Sequence, residues 1–356
     1  MKKLRTAIIG CGAIFPMHAE SVRQAAAKKA ELVAVCDIKD GSRAKAEQKY
    51  GVKGYADYKQ MIDEVKPDVV HICTPHYLHH EMALYAAQKG VHIFSEKPMA
   101  INIKQALEIR DAVGRHGVRY GISFQNRYNP STQLAKKVID TGELGQLKSA
   151  KLILTWCKPD EYYLKSDWKG TWDKEGGGVI IDQAIHSLDL LRYVFNSEID
   201  FISASTANRM HEKVQVEDEA AGVIMFKSGA FINFYVMNHY SYDDDVVMEI
   251  HGEKGRVRIV KDNAEALFYK GWKKIKAAPK KSEYIDYGEG AKDYWGYCHS
   301  IAVGKFYDAV INGTNYELCE EEGLETQWMV EGIYEAGRKN EKIYMEKLKN
   351  TPVKRE

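Results

Sequence analysis

Five short runs rich in Val and Ile (RTAIIG, LVAVCD, DVVHICTP, HIFSEKP and VRYGISF) punctuate the first third of the chain. Between them lie Ala-, Lys- and Glu-rich stretches such as ALYAAQKG and INIKQALEIRDAVGRHG. The runs show no in-and-out polarity, which suits strands covered on both faces, and the stretches between them have helical period. This grammar predicts βαβ units and a doubly wound parallel sheet over residues 1–124.

Beyond that point the pattern changes. Pro130 starts a helix that GELG ends, and LKSAKLILTW and an aromatic loop follow. The pairs AAGVIMF/AFINFYV and VVMEIHG/RVRIV then flank KSG and EK. Strands joined by short turns with glycine predict an antiparallel sheet, so residues 125–356 are expected to form an α+β domain with a largely antiparallel, open-faced sheet. A helix from Glu321 to about Asn340 closes it, KGWKKIKAAPKK reads as a solvated edge, and NTPVKRE as a frayed end. Apolar residues of FINFYVM suggest a self-associating face, hence a homodimer or homotetramer.

Charge and cysteine usage narrow the function classes. A net charge of +1 over 356 residues carries no basic excess, which argues against a nucleic-acid partner. No apolar run is long enough to span a bilayer and the opening MKKLRTAIIG lacks a leader's features, so a cytoplasmic, membrane-free protein is expected. The six cysteines are scattered without a C-x-x-C pair and read as reduced thiols.

GCGAIF, residues 10–15, lies between a strand and a helix. Gly10 permits the tight turn, and Gly12 lets the backbone of Gly12, Ala13 and Ile14 approach a pyrophosphate at the helix N-terminus. Phe15 stands where a third glycine is usual. Asp37 ends the next strand, where a carboxylate binds the ribose hydroxyls of NAD and repels the phosphate of NADP. NAD is the expected cofactor; Lys39 and Arg43 keep NADP open.

Two further stretches carry chemistry. SEKPMA puts Glu96 and Lys97 at the carboxyl edge of the sheet, where open α/β folds bind ligands, and a lysine beside a nicotinamide stabilises a developing alkoxide. In HICTPHYLHH, Thr74, Pro75 and His79 are the expected cofactor contacts, with a packing or surface role for the histidines left open, while the histidine spacing matches no standard metal site and no metal is expected. In GGGVIIDQAIHSLDLL, Asp182, His186 and Asp189 recur at helical spacing among apolar residues. That stripe has two readings, a solvated helix face or a site.

Together GCGAIFPMH, CTPHYLHHEMALYAAQKGVHIFSEKPMA and GGGVIIDQAIHSLDLL resemble the glucose-fructose oxidoreductase, inositol dehydrogenase and MocA (Gfo/Idh/MocA) group of sugar and polyol dehydrogenases. The resemblance covers most of the chain, with the hairpin region from about Phe201 to Gly290 matching mainly in layout. It implies an N-terminal Rossmann domain and a catalytic set of Lys97, Asp182 and His186, with the Asp182 and His186 stripe facing Lys97 across a cleft. The triple glycine is expected to bring backbone close to substrate. Imidazole, with an ordinary pKa of about 6.5, suits removal of the hydroxyl proton; Lys97 is expected to polarise the oxygen, and Asp182 either to fix a second hydroxyl or to orient the His and Lys pair. Arg127 and Lys169 are available to a substrate phosphate or carboxylate, and Trp168, in the aromatic loop, either covers a sugar face or packs the loop. Free polyols, sugar phosphates and nucleotide sugars all stay open. The competing readings are a non-catalytic NAD(P)-binding regulator and a reductase of non-sugar carbonyls of dihydrodiol or diketone type.

Overall fold

A computed structural model describes residues 3–280, 284–288 and 298–351 of the chain. Lys281 of the basic stretch and the tail from Pro352 lie outside the described residues. The chain forms two compact units, residues 1–125 with 280–324, and 126–279 with 325–356.

The first unit is built on β1 (Leu4–Ile9), β2 (Ala30–Cys36), β3 (Lys53–Tyr55), β4 (Val69–Ile72), β5 (His92–Ser95) and β6 (Tyr120–Ile122). All pairs are parallel, in the order β3-β2-β1-β4-β5-β6. Every residue of β4 is buried, which accounts for the missing polarity alternation. Connecting helices start and stop on local signals. The Asp57 carboxylate accepts the N–H groups of Lys59 and Gln60 at the start of Tyr58–Val65, and Asn102 accepts that of Gln105 at the start of Ile103–His116, which ends on left-handed Gly117. The chain order reverses between β1 and β4, which puts the ligand crevice at their carboxyl ends.

The sequence places everything after residue 124 in the second domain, whereas residues 280–324 belong with the first unit. The reason is packing. Helix His299–Asn312 sets Phe306 against Phe94, with ring centroids 5.3 Å apart, and a Cβ on Gly121 of β6 would meet the Phe306 ring at 2.7 Å. The Tyr307 hydroxyl bonds to Thr6 and His71 of the parallel strands.

The second unit holds β7 (Leu147–Thr155), β8 (Ile199–Ala207), β9 (Glu219–Phe226), β10 (Phe231–Met237), β11 (Val247–Gly252), β12 (Gly255–Val260), β13 (Asn263–Phe268), β14 (Lys274–Ala277) and β15 (Ile343–Tyr344). They form one sheet in the order β14-β13-β12-β11-β7-β10-β9-β8-β15. Both expected hairpins, β9-β10 and β11-β12, are present, and only β7 and β10 pair in parallel. Along β7, Ala150, Leu152 and Leu154 are buried while Lys151 and Ile153 are exposed. One face therefore carries the core and the other is open. The basic stretch does supply the edge strand, β14, and the late helix runs Glu320–Lys339.

Candidate active site

In the first unit the glycine turn is fixed by close packing. Gly10 has φ +95°, and a Cβ there would lie 2.5 Å from the Cys73 carbonyl oxygen at the end of β4. Gly12 is the opposite case, with nothing within 4 Å of its Cβ position. One glycine closes the turn; the other leaves room for a phosphate group. Phe15 does not intrude on this space. It is buried among Ile8, Ala19, Val35 and Cys73 and packs edge-on to Tyr50 at 5.5 Å.

The Asp37 carboxylate accepts the Cys11 N–H at 2.8 Å and the Lys39 N–H at 2.7 Å, one on each oxygen. A carboxylate has about four acceptor positions, so these bonds orient it and leave capacity for ribose hydroxyls. Arg43, a candidate for the NADP phosphate, donates to Asp40 and to the Asp37 carbonyl. Open space at Gly12 and an oriented acid at the end of β2 fit NAD.

Beside the turn, His79 joins two loops of the same unit. Its Nδ1 lies 2.7 Å from the Pro98 oxygen and its Nε2 lies 2.9 Å from the Thr74 oxygen. Both partners only accept, so a neutral ring satisfies one at a time, and burial lowers its pKa more than the two carbonyls raise it. His79 thus ties the loop of Thr74 to that of Lys97, with both ring nitrogens turned to protein carbonyls.

The Glu96 side chain turns inward, accepting from His18 Nε2 at 2.8 Å with His299 Nε2 at 3.6 Å. Burial alone raises its pKa, but the two imidazoles outweigh burial and hold it well below the carboxylate range. With Glu96 as pure acceptor, His18 donates from Nε2; its Nδ1 lies 2.9 Å from His71 Nδ1, and His71 Nε2 lies 2.8 Å from the Tyr307 hydroxyl. Glu96, His18 and His299 are clustered closely enough to suggest a metal, but 2.8 Å is hydrogen-bond spacing, tighter than two ligands on one ion at about 2.0–2.1 Å each. Lys97, the next residue, is half-buried.

In the second unit, residues Val179–Ala184 form a π-helical turn that runs into helix Ile185–Phe195. Such turns are rare and recur at functional sites. Asp182 and His186 are half-buried, neither in the core nor in bulk water. Three donors converge on Asp182 Oδ2: the Tyr162 hydroxyl at 2.6 Å, Lys169 Nζ at 3.0 Å and Gln183 Nε2 at 2.6 Å. The Lys169 ammonium also bonds to the Tyr162 hydroxyl and lies over the rings of Tyr162 and Trp168. Behind them Glu175 is fully buried, and burial, reinforced by the Asp182 charge, pushes its pKa up to about 8.

The third member of the stripe does not belong to a site. Asp189 is buried and takes a two-pronged bond from Arg127, 2.7 Å to Nε and 2.6 Å to Nη2, plus the Thr326 hydroxyl at 2.7 Å. Burial raises the Asp189 pKa, but Arg127 reverses the sign and leaves it lowered. Arg127, expected to meet a substrate anion, is therefore a structural cation, 3 % exposed and stacked on Tyr193. Lys169, the other basic candidate, is neutralised by Asp182.

The triple glycine serves protein packing. A Cβ on Gly177 would lie 1.9 Å from the Tyr334 hydroxyl, and one on Gly178 1.9 Å from the Glu217 carbonyl oxygen. Sequence reasoning missed Glu217, Tyr334, Tyr162 and the Glu96 network. Only the GGG run signalled close approach, and it did not say to what. In the aromatic loop Tyr163 packs on Val214 and Val216 with Tyr162 against them, and the Lys169 ammonium lies over the Tyr162 and Trp168 rings.

Residues 4–124 match the oxidoreductase family with an NAD-binding Rossmann fold, and residues 132–258 match the GFO/IDH/MocA C-terminal domain. Myo-inositol 2-dehydrogenase of Thermotoga maritima is 26 % identical over 258 residues, covering 71 % of this chain and 74 % of that protein. D-glucoside 3-dehydrogenase of Escherichia coli is 30 % identical over 249 residues, covering 64 % and 68 %. Among solved structures, the WlbA dehydrogenase of Bordetella pertussis in complex with NADH and UDP-GlcNAcA superposes with a TM-score of 0.85 at 25 % identity, over 99 % of both chains.

Proposed function

Because the chain belongs to the GFO/IDH/MocA family of NAD-binding oxidoreductases, we propose that it transfers hydride between NAD and a secondary alcohol of a neutral sugar or polyol. Bound NAD supplies the hydride acceptor at its nicotinamide. Lys97 holds the reacting oxygen and stabilises charge developing on it. His186 takes the hydroxyl proton, and returns it in the reverse reduction. Asp182 fixes a neighbouring hydroxyl, its own carboxylate held by Tyr162, Lys169 and Gln183.

The observation that carries this reading is Asp182, held by three donors four residues ahead of half-buried His186. Pairing of Arg127 with Asp189 and of Lys169 with Asp182 supports a substrate without phosphate or carboxylate. The Trp168 ring beside Lys169 supports a sugar face as its cover. A second reading, a nucleotide-sugar substrate, is favoured by the likeness to the WlbA dehydrogenase. Initial rates of NADH formation with inositols, free aldoses, sugar phosphates and nucleotide sugars separate the two. Turnover of neutral polyols or aldoses is expected, faster with NAD than with NADP because Asp37 repels the extra phosphate. Activity confined to phosphorylated or nucleotide-linked sugars would overturn the neutral assignment.

The open sheet face, with Ile153 and Tyr235 exposed at 39 % and 38 %, supports a homodimer or homotetramer. Sedimentation as a monomer at micromolar concentration counts against it. Six free thiols support a reducing compartment such as the cytoplasm; recovery from the cell exterior by fractionation contradicts that. Among the described residues, no helix is long and apolar enough to cross a membrane.

A further inference from the structure

We propose that Glu217 is the positioning residue of the helix that carries Asp182 and His186, holding its first turn through three consecutive backbone amides. The inference rests on the roles given to those two residues above.

A helix start leaves its first N–H groups without partners inside the helix. Here no side chain near in sequence supplies them, for the turn begins at Gly178 without a side-chain cap. One distant residue does. The Gly178 N–H donates to Glu217 Oε2 at 2.8 Å, the Ile180 N–H to Oε1 at 3.0 Å, and the Val179 N–H to the Glu217 main-chain oxygen at 3.1 Å. Tyr334 adds its hydroxyl to Oε1 at 3.0 Å. The negative group sits where the helix dipole favours it.

The fit leaves no slack. Side chains at 177 or 178 would collide with Tyr334 and Glu217, and Gly177 has φ +148°, open to glycine alone. Triple glycine, Glu217 and Tyr334 therefore act as one device, and a shift of the carboxylate moves the turn that carries Asp182.

The device has two states. An ionised carboxylate accepts all these bonds at once, but a protonated one must aim its proton at an acceptor and so gives up part of the set. Burial raises the Glu217 pKa to about 7, against the pull of the amides and Tyr334. Its neighbour Asp218, served by His211 and backbone N–H groups, is held at about 2, so the two adjacent acids behave differently. The titratable groups facing Glu217 are Tyr334 on helix Glu320–Lys339, Glu175 on the loop and Tyr163 on helix Asp160–Leu164. None is a base that would hold the carboxylate charged, so the turn is tight above neutral pH and loosens below it.

The test follows backbone amides by NMR and turnover by absorbance. In the wild type the Gly178 and Ile180 N–H resonances shift together between about pH 6 and about pH 8, and in Glu217→Gln they do not. Glu217→Gln, with an amide group facing an N–H donor, loses roughly 10- to 100-fold in kcat together with the acid limb near neutrality, at unchanged NAD affinity. Tyr334→Phe keeps the carboxylate, so its amides still titrate, with a shifted midpoint; this variant decides the matter if Glu217→Gln does not fold. Amides that stay flat in the wild type, or wild-type kcat and pH profile in Glu217→Gln, overturn the proposal. Absence of turnover by the wild type on every sugar and polyol overturns the functional reading alone, because the amide titration is read without substrate.

Discussion

Replacing His186 with alanine is expected to lower kcat by roughly 10²- to 10⁴-fold while NAD affinity stays at the wild-type level. The expected loss follows from the role proposed for His186, which leaves the hydroxyl proton without its acceptor when hydride leaves carbon. Affinity holds because the turn at Gly10 and Gly12 and the acid Asp37 belong to the first unit, whereas His186 is a residue of the second. Single-turnover absorbance at the NADH band measures the first quantity and calorimetric titration with NAD the second. Asp182→Asn separates the neighbouring role: it keeps the shape, weakens the bonds from Tyr162 and Lys169, and raises KM more than it lowers kcat if Asp182 only fixes a second hydroxyl. A kcat unchanged in His186→Ala reassigns the proton to Lys97.

The largest loss of stability is expected from Arg127→Met. Removing one partner of a buried ion pair costs about 3–5 kcal/mol, because the remaining charge stays out of water without compensation. Asp189 then keeps Thr326 and the more distant Arg192 at 3.7 Å, which do not replace a two-pronged bond. The pH dependence has a definite sign. In the wild type the folded Asp189 pKa is lowered, so its stabilisation is complete above the ordinary carboxylate range and is lost as pH falls through the folded value. In the variant burial dominates and raises that pKa, so stability increases on acidification. The gap between the two proteins narrows towards acid pH. Urea unfolding at neutral and acid pH measures it, and the double variant Arg127→Met/Asp189→Leu is expected to regain most of the loss. A wild-type midpoint for Arg127→Met at neutral pH contradicts the assignment of Arg127 to structure.

What the sequence made legible follows how local each cause is. The parallel sheet, both hairpins and the glycine turn rest on patterns within about ten residues, and each appears where expected. Asp189 escaped because its partner lies 62 residues away, and spacing alone gives it the same status as Asp182 and His186. Glu96 escaped for the same reason: His18 is 78 residues away, and a carboxylate beside Lys97 looks like a ligand contact until its interior partner is seen. The GGG run announced a backbone approached closely, but a glycine carries no record of what approaches it. Residues 280–324 joined the first unit through Phe306 and Tyr307, two aromatic residues in a helix whose pattern is the same whichever core it serves.

In the function proposed above, Lys97, Asp182 and His186 act on one substrate carbon. A crystal structure of the protein with NADH and a polyol or aldose from the rate screen tests it most directly. The reacting oxygen is expected within about 2.6–3.2 Å of both the Lys97 ammonium and a His186 ring nitrogen, with a second hydroxyl on Asp182. A bound substrate whose reacting oxygen touches neither group, with the His186 ring turned to solvent, contradicts it.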